Sequence, residues 1–407
     1  MPRHTLTRSA AAGLLLAATA AFAQSTSPVV LTFSTVGDSR QDPNTYDQAS
    51  VGATLTGLDA MWLQNTKAFG RILRTVQTQK PQLLFFNGDM IHGYGWAEFG
   101  YTTNADQTKI NGVSKSTEPV ADASWTTRSQ VLNSDLLAFY KEYAFWRGLV
   151  APVIETGTYV LPVPGNHETE CKACRPGKVA KQANEEAWTA NMGDLIVDAN
   201  RFTATTGTAP SNISYGPAAG SSPDGLTTNQ AKLSYSFDAK GFHFVVINTD
   251  PVGADSTAPT QWLSADLAAA KARGAKKIFV FGHKPAYTYA YDVAPTVTAP
   301  GGLDAGDVSK RNAFWDVIEA NGATYFCGHE HIYNVSRPRG GAYQVIVGSG
   351  GSPFDVKAGV PTVHPATDRS YGWATVRLHA DGSMDLLGYG FDEHFGPTTL
   401  LDQIYIP

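Results

Sequence analysis

Two stretches decide the fold: KKIFVFGHKPAY at residues 276–287 and ATYFCGHEHIY at residues 323–333. In each, a short apolar run with the composition of a buried strand ends at a glycine, and a histidine follows at once. A strand that ends in a glycine turn places the next side chain at the carboxyl edge of the sheet, where α/β proteins bind their ligands. The sequence therefore predicts an α/β protein whose functional residues lie on strand-end turns.

Three further stretches repeat this pattern with an oxygen donor after the glycine. They are VVLTFSTVG before Asp38, QLLFFNG before Asp89 and TYVLPVPG before Asn166. His331 follows His329 by two residues, so on extended backbone both side chains leave the same face. Turns that meet at one edge would assemble six donors: Asp38, Asp89, Asn166, His283, His329 and His331. This set suits borderline and harder divalent or trivalent metals and suffices for two ions; the alternative is five unrelated strand-to-loop turns.

The chain has 407 residues, 43% of them hydrophobic and 16% charged, which is typical of a globular protein with an ample core. Its first 23 residues differ from the rest. Arg3 and Arg8 precede an apolar stretch at residues 10–22 that is too short to span a bilayer, and residues 21–23 form a small-x-small cleavage site. This pattern predicts a signal peptide over residues 1–23, a mature chain of 24–407 without a membrane span, and a secreted or periplasmic location.

Charge and cysteine usage narrow the function classes. The net charge of −5 (31 minus 36) becomes −7 (29 minus 36) when Arg3 and Arg8 leave with the signal peptide. A nucleic-acid scaffold would need a basic surface, whereas bound metals would still allow an anionic substrate. Cys171 and Cys174 form a C-x-x-C pair that, in an exported chain, favours a local disulfide over a redox or zinc site. Cys327 lies in an apolar run and is interpreted as a small buried hydrophobe.

Helix and strand signals alternate along the chain. Apolar periodicity predicts helices over residues 58–79, 132–149, 259–273 and 308–320. Strands are predicted over residues 232–237 and 242–248 as a hairpin, and again between residues 343 and 389. A polar and aromatic insertion at about residues 93–130 has few periodic signals, and loops of that length usually carry function. We therefore predict a single domain of two sheets flanked by helices.

The glycine motifs also resemble those of a known family. In chain order they are GDSR at 37–40, GDMIH at 88–92, GNHE at 165–168, GHKPAY at 282–287 and GHEHIY at 328–333. They resemble the calcineurin-like metallophosphoesterase superfamily, and are most similar to its purple-acid-phosphatase branch. FHFVVINTD at 242–250 looks similar to that branch too. The resemblance covers roughly residues 29–389 and implies an αββα sandwich, in which two mixed β-sheets are flanked by helices in four layers.

The resemblance implies a centre of two transition-metal ions, either Fe, Mn or Zn. Asp89 would bridge the two ions, and a shared carboxylate offsets their repulsion at a separation of roughly 3.5–4 Å. The other ligands would divide into Asp38 and His331 for one ion and Asn166, His283 and His329 for the other. The neutral amide of Asn166 would limit the negative charge of the site and so keep the ions Lewis-acidic.

The same resemblance implies in-line attack on phosphorus by a metal-bound hydroxide. His167 would steady the transition state or protonate the leaving oxygen; read by itself, it is a hydrogen-bonded turn histidine. Glu168 either orients a neighbouring histidine or is merely solvated. Tyr287 and Tyr333 follow the histidine motifs, and either line the cleft or pack in the core.

Two positions depart from familiar family patterns. Arg40 stands where many relatives have a metal-binding histidine, and arginine stays protonated, so it either clamps a phosphate or pairs with Asp42. His92 stands where the purple enzymes have a tyrosine, and it either ligates the first ion or hydrogen-bonds to substrate. Because no tyrosinate is present at that position, the purple colour of that branch is expected to be missing.

These features together predict a secreted or periplasmic phosphoesterase that acts on a small-molecule phosphate ester. Phosphomonoester hydrolysis is favoured. One alternative is a phosphodiesterase directed at nucleotides or phospholipids, and an alternative of another class is a non-catalytic metal- or phosphate-binding protein. Metal identity, physiological substrate and oligomeric state do not follow from the sequence.

Overall fold

The structure is a computed structural model. It describes residues 25–40, 57–93, 109–110, 113–114, 137–171, 179–220, 224–288, 302–303, 307–355 and 369–407. The predicted signal peptide, most of the predicted insertion at about 93–130, and Cys174 with its predicted disulfide lie outside these residues. Within them, none of the helices is long and apolar enough to cross a membrane.

Six strands of the described residues form the first sheet. They are β1 (Val29–Val36), β2 (Leu83–Asn87), β5 (Tyr159–Val163), β15 (Tyr371–His379), β16 (Met384–Phe391) and β17 (Thr399–Ile406). Their order across the sheet is β17-β16-β15-β1-β2-β5. The strands β1, β2 and β5 run parallel, whereas β15 pairs antiparallel with β1. Every residue of β2 and β5 is buried, as expected for nearly continuous apolar runs in a sheet covered on both faces.

Seven strands of the described residues form the second sheet. They are β8 (Ser211–Tyr215), β9 (Tyr235–Ala239), β10 (Phe242–Val246), β11 (Ile278–Phe281), β12 (Thr324–Cys327), β13 (Tyr333–Ser336) and β14 (Gln344–Val347). Their order is β13-β14-β12-β11-β10-β9-β8, and the four central strands β14, β12, β11 and β10 are parallel. Two pairs of two-residue strands lie outside these sheets: β3 (Lys109–Ile110) with β4 (Val113–Ser114), and β6 (Glu170–Cys171) with β7 (Val179–Ala180).

Helices cover the outer face of each sheet. The described helices are α1 (Gly57–Gln79), α2 (Leu137–Glu155), α3 (Asn166–Thr169), α4 (Gln182–Met192), α5 (Ala199–Thr206), α6 (Thr260–Ala272) and α7 (Val308–Ala320). Residues of α1, α2 and α4, among them Phe69, Trp146 and Trp188, share one buried cluster with the outer face of the first sheet. Residues of α6 and α7 do the same for the second sheet. This arrangement confirms the predicted four-layer αββα sandwich.

The inner core between the two sheets is built around Phe33 of β1. Its ring meets five other phenylalanine rings edge to face, with centroids 5.2–5.8 Å away: Phe85, Phe244, Phe279, Phe281 and Phe326. Phe85 and Phe281, from opposite sheets, stack at 3.7 Å. Aromatic pairs of this kind add to the stabilisation from buried area, so the two sheets are held face to face in one register.

This packing brings the carboxyl ends of the parallel strands of both sheets together. The turn after β1 bonds directly to the second sheet, because the Gly37 amide donates to the Val347 carbonyl at 2.8 Å. Within the second sheet, the Gly328 amide donates to the His283 carbonyl at 2.9 Å. The ligand-bearing turns predicted from the sequence therefore meet at one edge of the sandwich.

Most predicted elements are present where the structure describes them. The helices predicted at 58–79, 259–273 and 308–320 are confirmed within one or two residues as α1, α6 and α7. The helix predicted to end at residue 149 continues to Glu155 with Pro152 inside it, and Val150 and Val153 of this extension are buried. Their burial offsets the backbone hydrogen bond that proline cannot donate.

A charged network in the second sheet lies away from the strand-end turns. His243 of β10 is fully buried, with Nδ1 2.5 Å from Asp238 Oδ1 and Nε2 2.8 Å from Asp266 Oδ2. Asp238 also accepts from Arg273 and Asn212, and Asp266 accepts from Ser236. Burial alone lowers the pKa of His243, but the hydrogen bonds to the two aspartates outweigh burial and raise that pKa.

This network predicts a pH-dependent contribution to stability. Because the folded-state pKa of His243 lies above its unfolded value of about 6.5, the protonated residue stabilises the fold fully below that pH. The contribution is lost as pH rises through the folded-state pKa. We expect the Tm difference between the wild type and His243→Gln, measured from pH 6 to pH 10 in the presence of chelator, to shrink as pH rises. A difference that does not change with pH would contradict this.

Candidate metal centre

Three of the predicted ligands lie in left-handed backbone conformation. Asp38, Asp89 and His329 have φ of 59°, 51° and 70°. Aspartate and histidine adopt this conformation more readily than most residues, but it still costs on the order of 1–3 kcal/mol. The strained backbone of these turns therefore directs the three side chains to the common edge of the two sheets.

The glycines before the ligands are required by close approach of neighbouring turns. A Cβ on Gly165 would fall far inside the contact distance of Asp89 Oδ1, and a Cβ on Gly328 would meet Asp38 Oδ2 in the same way. Each glycine therefore gives space to the ligand of another turn. This packing accounts for the glycine before Asn166 and the glycine before His329.

The first group of donors consists of Asp89, His283 and His329, whose ligand atoms lie within 4.8 Å of one another. The amide oxygen Oδ1 of Asn166 lies 3.0 Å from His283 Nε2 and 3.0 Å from His329 Nδ1. The two ring nitrogens are themselves 3.2 Å apart. Four donor atoms from four different turns therefore converge on one point.

The second group consists of Asp38, Asp89 and His331, again with ligand atoms within 4.8 Å of one another. His331 Nε2 lies 3.7 Å from Asp38 Oδ1. Asp89 belongs to both groups, which is the position expected of a bridging carboxylate. The structure therefore places the six predicted ligands in the two sets that the family resemblance implies; their roles as ligands stay predictions.

The rings of two histidines are oriented from behind by backbone carbonyls. His283 Nδ1 lies 2.7 Å from the Asn87 carbonyl, and His331 Nδ1 lies 2.6 Å from the Pro353 carbonyl. A ring nitrogen that donates to a carbonyl leaves the opposite nitrogen as the acceptor, and metal-binding histidines are usually held in this way. In both residues the opposite atom is Nε2, which faces the donor group.

This donor set fits a metal ion. The two ring nitrogens and the amide oxygen face one another at 3.0–3.2 Å. A cation bound among them would be coordinated by all three atoms. The electrostatics agree: burial alone lowers the pKa of His283, but Asp89 and Asp38 outweigh burial and raise it to about 10. The carboxylates therefore favour positive charge at this point.

Glu168 has a structural role that differs from both alternatives left open by its sequence context. Its carboxylate is fully buried and accepts from four backbone amides: Gly165 at 2.8 Å, Asp89 at 2.9 Å, Met90 at 3.0 Å and Ile91 at 3.3 Å. Glu168 therefore ties the turn that carries Asn166 to the turn that carries Asp89. A glutamate three residues after a helix N-cap is the capping-box pattern, and that signal would have pointed to the Gly165 contact.

His167 and His92 lie together beside Asp89. His167 Nε2 is 3.6 Å from Asp89 Oδ2, while its Nδ1 bonds to the backbone carbonyl of His92. Burial, together with the nearby charge of Arg40, holds the pKa of His167 well below its usual value. Among the described residues, the His92 ring is in neither donor group. The structure thus places the His92 carbonyl oxygen against the His167 ring, and the role of His92 as a ligand stays a prediction.

Arg40 also reaches the centre. Its Nη2 lies 3.3 Å from His331 Nε2, and its Nε lies 3.5 Å from Asp89 Oδ2. The side chain is 13% exposed, so part of it stays accessible to solvent beside the donor cluster. Asp42, the alternative partner, is outside the described residues.

The tyrosines and Cys327 have packing roles. Tyr287 is buried against Trp315, with ring centroids 5.3 Å apart, and the Arg311 guanidinium lies over its ring at 4.7 Å. Tyr333 and Cys327 are fully buried. Of the two readings left open by the sequence, the structure therefore supports packing for both tyrosines, and Cys327 is a buried thiol as predicted.

Comparisons with known proteins agree with this fold. The family model for calcineurin-like phosphoesterases matches residues 62–333, and no curated protein matches the chain. A purple acid phosphatase from yellow lupin (Lupinus luteus) seeds has the same fold, with a TM-score of 0.53, 14% identity, and 93% of this chain aligned to 54% of that one. A dimetal phosphatase from Danio rerio gives a TM-score of 0.47 and 14% identity over 92% of this chain and 99% of its own.

The chain spans about half the length of the lupin protein. The family model covers two thirds of the chain and includes four of its five glycine motifs. The remaining motif, GDSR at 37–40, precedes residue 62, where the match begins. On the strength of this match and of the αββα sandwich, the chain belongs to the calcineurin-like phosphoesterase family.

Proposed function

We propose that this protein is a dinuclear-metal phosphoesterase that hydrolyses small phosphate esters, and that it prefers monoesters to diesters. The observation that carries the proposal is the pair of donor groups that share Asp89. Two bound ions would activate a water molecule and neutralise charge on the phosphoryl oxygens. The predicted signal peptide supports the further proposal that the protein is exported.

The residues of this chain then have separate tasks in the reaction. Asp38, Asp89, Asn166, His283, His329 and His331 would hold the two ions. Arg40 lies beside these residues with part of its side chain exposed, where it would meet a phosphate. Water attacks phosphorus in line with the ester oxygen, the phosphorus–oxygen bond to that oxygen breaks, and the alcohol leaves with a proton. His167 is the group placed to steady the transition state or to give that proton, because its ring lies beside Asp89 and is in neither donor group.

Metal analysis together with a substrate panel tests this proposal. We expect about two ions per chain, loss of hydrolysis on exhaustive chelation, and recovery when a transition metal is added. p-Nitrophenyl phosphate and bis-p-nitrophenyl phosphate compare a monoester with a diester that has the same leaving group. Full activity of metal-free protein would refute the dinuclear proposal, and faster turnover of the diester would make the protein a phosphodiesterase instead. Metal binding without turnover of either ester would favour a binding protein.

Arg40 provides the test of monoester preference. A planar guanidinium that contacts two phosphoryl oxygens gains more from a dianionic monoester than from a singly charged diester. A charge-assisted hydrogen bond contributes about 1.5–3 kcal/mol, so Arg40→Ala should lower kcat/KM for the monoester by roughly 10–100-fold, and less for the diester. Arg40→Lys should recover part of this loss.

The exposed Arg377 of β15 offers a matched control, since Arg377→Ala removes the same charge away from the centre. That variant should leave both esters unchanged. An equal loss for both esters in Arg40→Ala would mean that Arg40 does not discriminate by substrate charge.

A further inference from the structure

Lys284, the residue after His283, is buried with its ammonium group enclosed by oxygens. Its Nζ donates to Asp250 Oδ1 in a short contact, to Ser256 Oγ at 2.6 Å and to Glu170 Oε1 at 3.2 Å. The side chains of Lys284, Asp250 and Glu170 are between 0% and 6% exposed. An ammonium has three protons to donate, and here each has an acceptor.

The acceptors come from different strand-end segments. Glu170 ends the segment that begins with Asn166, whereas Asp250 and Ser256 lie in the segment after β10. The backbone of Lys284 is held as well, because its amide lies 3.3 Å from Thr249 Oγ1 and its carbonyl accepts from the Tyr325 hydroxyl at 2.6 Å. Lys284 is therefore the point at which the His283 turn, the Asn166 segment and the segment after β10 are joined.

These contacts lie on one side of the metal centre. Lys284 is covalently next to His283, and Glu170 is four residues from Asn166, so both anchor points lead to ligands of the first donor group. None of the described polar contacts of Lys284 involves Asp38 or His331. A change at Lys284 should therefore move the His283 and Asn166 side chains relative to each other while the second donor group keeps its own supports at Pro353 and Asp355.

We propose that Lys284 is a positioning residue that fixes His283 and Asn166 at the separation needed by the ion held with His329. This inference rests on the proposed dinuclear function. The ion pairs of a buried ammonium with two carboxylates are costly to break, because removal of one partner leaves the charges of the others buried and unpaired. The three segments are consequently held as a unit, and that rigidity keeps the ligands in place when the ion is absent. Partners behind metal ligands typically change metal affinity by about 10–100-fold when they are lost.

The decisive measurement is the affinity of each ion separately. Lys284→Met keeps a long unbranched side chain and removes its charge. When the metal-free variant is titrated calorimetrically with Co²⁺, one dissociation constant should be about 10–100-fold higher than in the wild type. The other should stay within about twofold of its wild-type value. The absorption bands of bound Co²⁺ report the geometry of the affected ion. The same substitution in His331→Ala and in His329→Ala proteins identifies the affected ion. Lys284→Met should lower the affinity of the ion that remains in His331→Ala, and it should not change the affinity of the ion that remains in His329→Ala.

A control variant separates positioning from general loss of stability. Asp266→Asn breaks the buried charged pair between Asp266 of α6 and His243 of β10, away from the centre, and should lower Tm while leaving both dissociation constants unchanged. If Lys284→Met does not fold, Glu170→Gln removes one acceptor charge with little change in shape and should give a smaller loss at the same ion.

Equal weakening of both ions, or no change in either, would overturn the inference. Failure of the wild type to bind two ions would instead overturn the proposed function, so the two failures are distinguishable. Recovery of the affected affinity in Lys284→Met by lowering the temperature alone would also count against positioning, because it would indicate global unfolding.

Discussion

Replacement of Asp89 by alanine is expected to remove both metal ions and to lower kcat/KM by roughly 10³–10⁵-fold. Asp89 is the residue common to the two donor groups, so its loss takes a ligand from each. The estimate follows because bound ions supply several kcal/mol of charge stabilisation in the transition state, and each 1.4 kcal/mol changes the rate by about tenfold.

His331→Ala is the control for this prediction. His331 is a member of the second donor group alone, so its loss should weaken one ion and spare the other. Elemental analysis and calorimetric titration of both variants measure the stoichiometry directly. If Asp89→Ala still bound one ion with wild-type affinity, Asp89 would belong to a single site and the bridging assignment would be wrong.

The second large effect is expected at His167. His167→Ala should retain both ions yet lose roughly 10²–10⁴-fold in rate, the usual span for a general acid. The ring is in neither donor group, and its Nε2 lies 3.6 Å from Asp89 Oδ2 while its Nδ1 is bonded to the His92 carbonyl. The loss should be greatest for alkyl phosphates, whose leaving oxygen needs a proton, and smallest for p-nitrophenyl phosphate.

His394 is a suitable control, because its side chain is 71% exposed and it lies outside the five turns that carry the predicted ligands. His394→Ala should leave turnover of both kinds of substrate unchanged. Release of metal from His167→Ala would show that the ring supports a ligand, and an equal rate loss for all leaving groups would argue against proton donation.

The ligands were predictable because their positions depend on local features of the chain. Each of the five turns follows directly on an apolar run, and parallel strands in an α/β protein bring such turns to one edge. The links that Glu168 and Lys284 make between turns were not predictable in this way, because they join residues distant in sequence: Glu168 and Asp89 are 79 positions apart, and Lys284 and Glu170 are 114 positions apart. A buried carboxylate that accepts backbone amides leaves no periodic signal.

Two strands at sheet edges, β8 and β17, were missed for a different reason. β8 has the sequence SNISY and is largely exposed, and β17 is only half-buried. An edge strand contributes backbone pairing without a fully buried face, so the alternation that identifies a strand is weak. The predicted insertion lies mostly outside the described residues, and its functional role stays a prediction.

Because of the left-handed backbone at Asp38, Asp89 and His329, substitutions that stabilise the fold at these positions would remove predicted metal ligands. Glycine at any of these positions would relieve backbone strain on the order of 1–3 kcal/mol, and at Asp38 or Asp89 it would also remove a buried carboxylate. A redesign that optimised the metal-free fold would choose these substitutions and erase the centre in the process. Stabilised variants of this protein should therefore be sought with the three turns held fixed, and a lineage freed from selection for activity should lose these residues early.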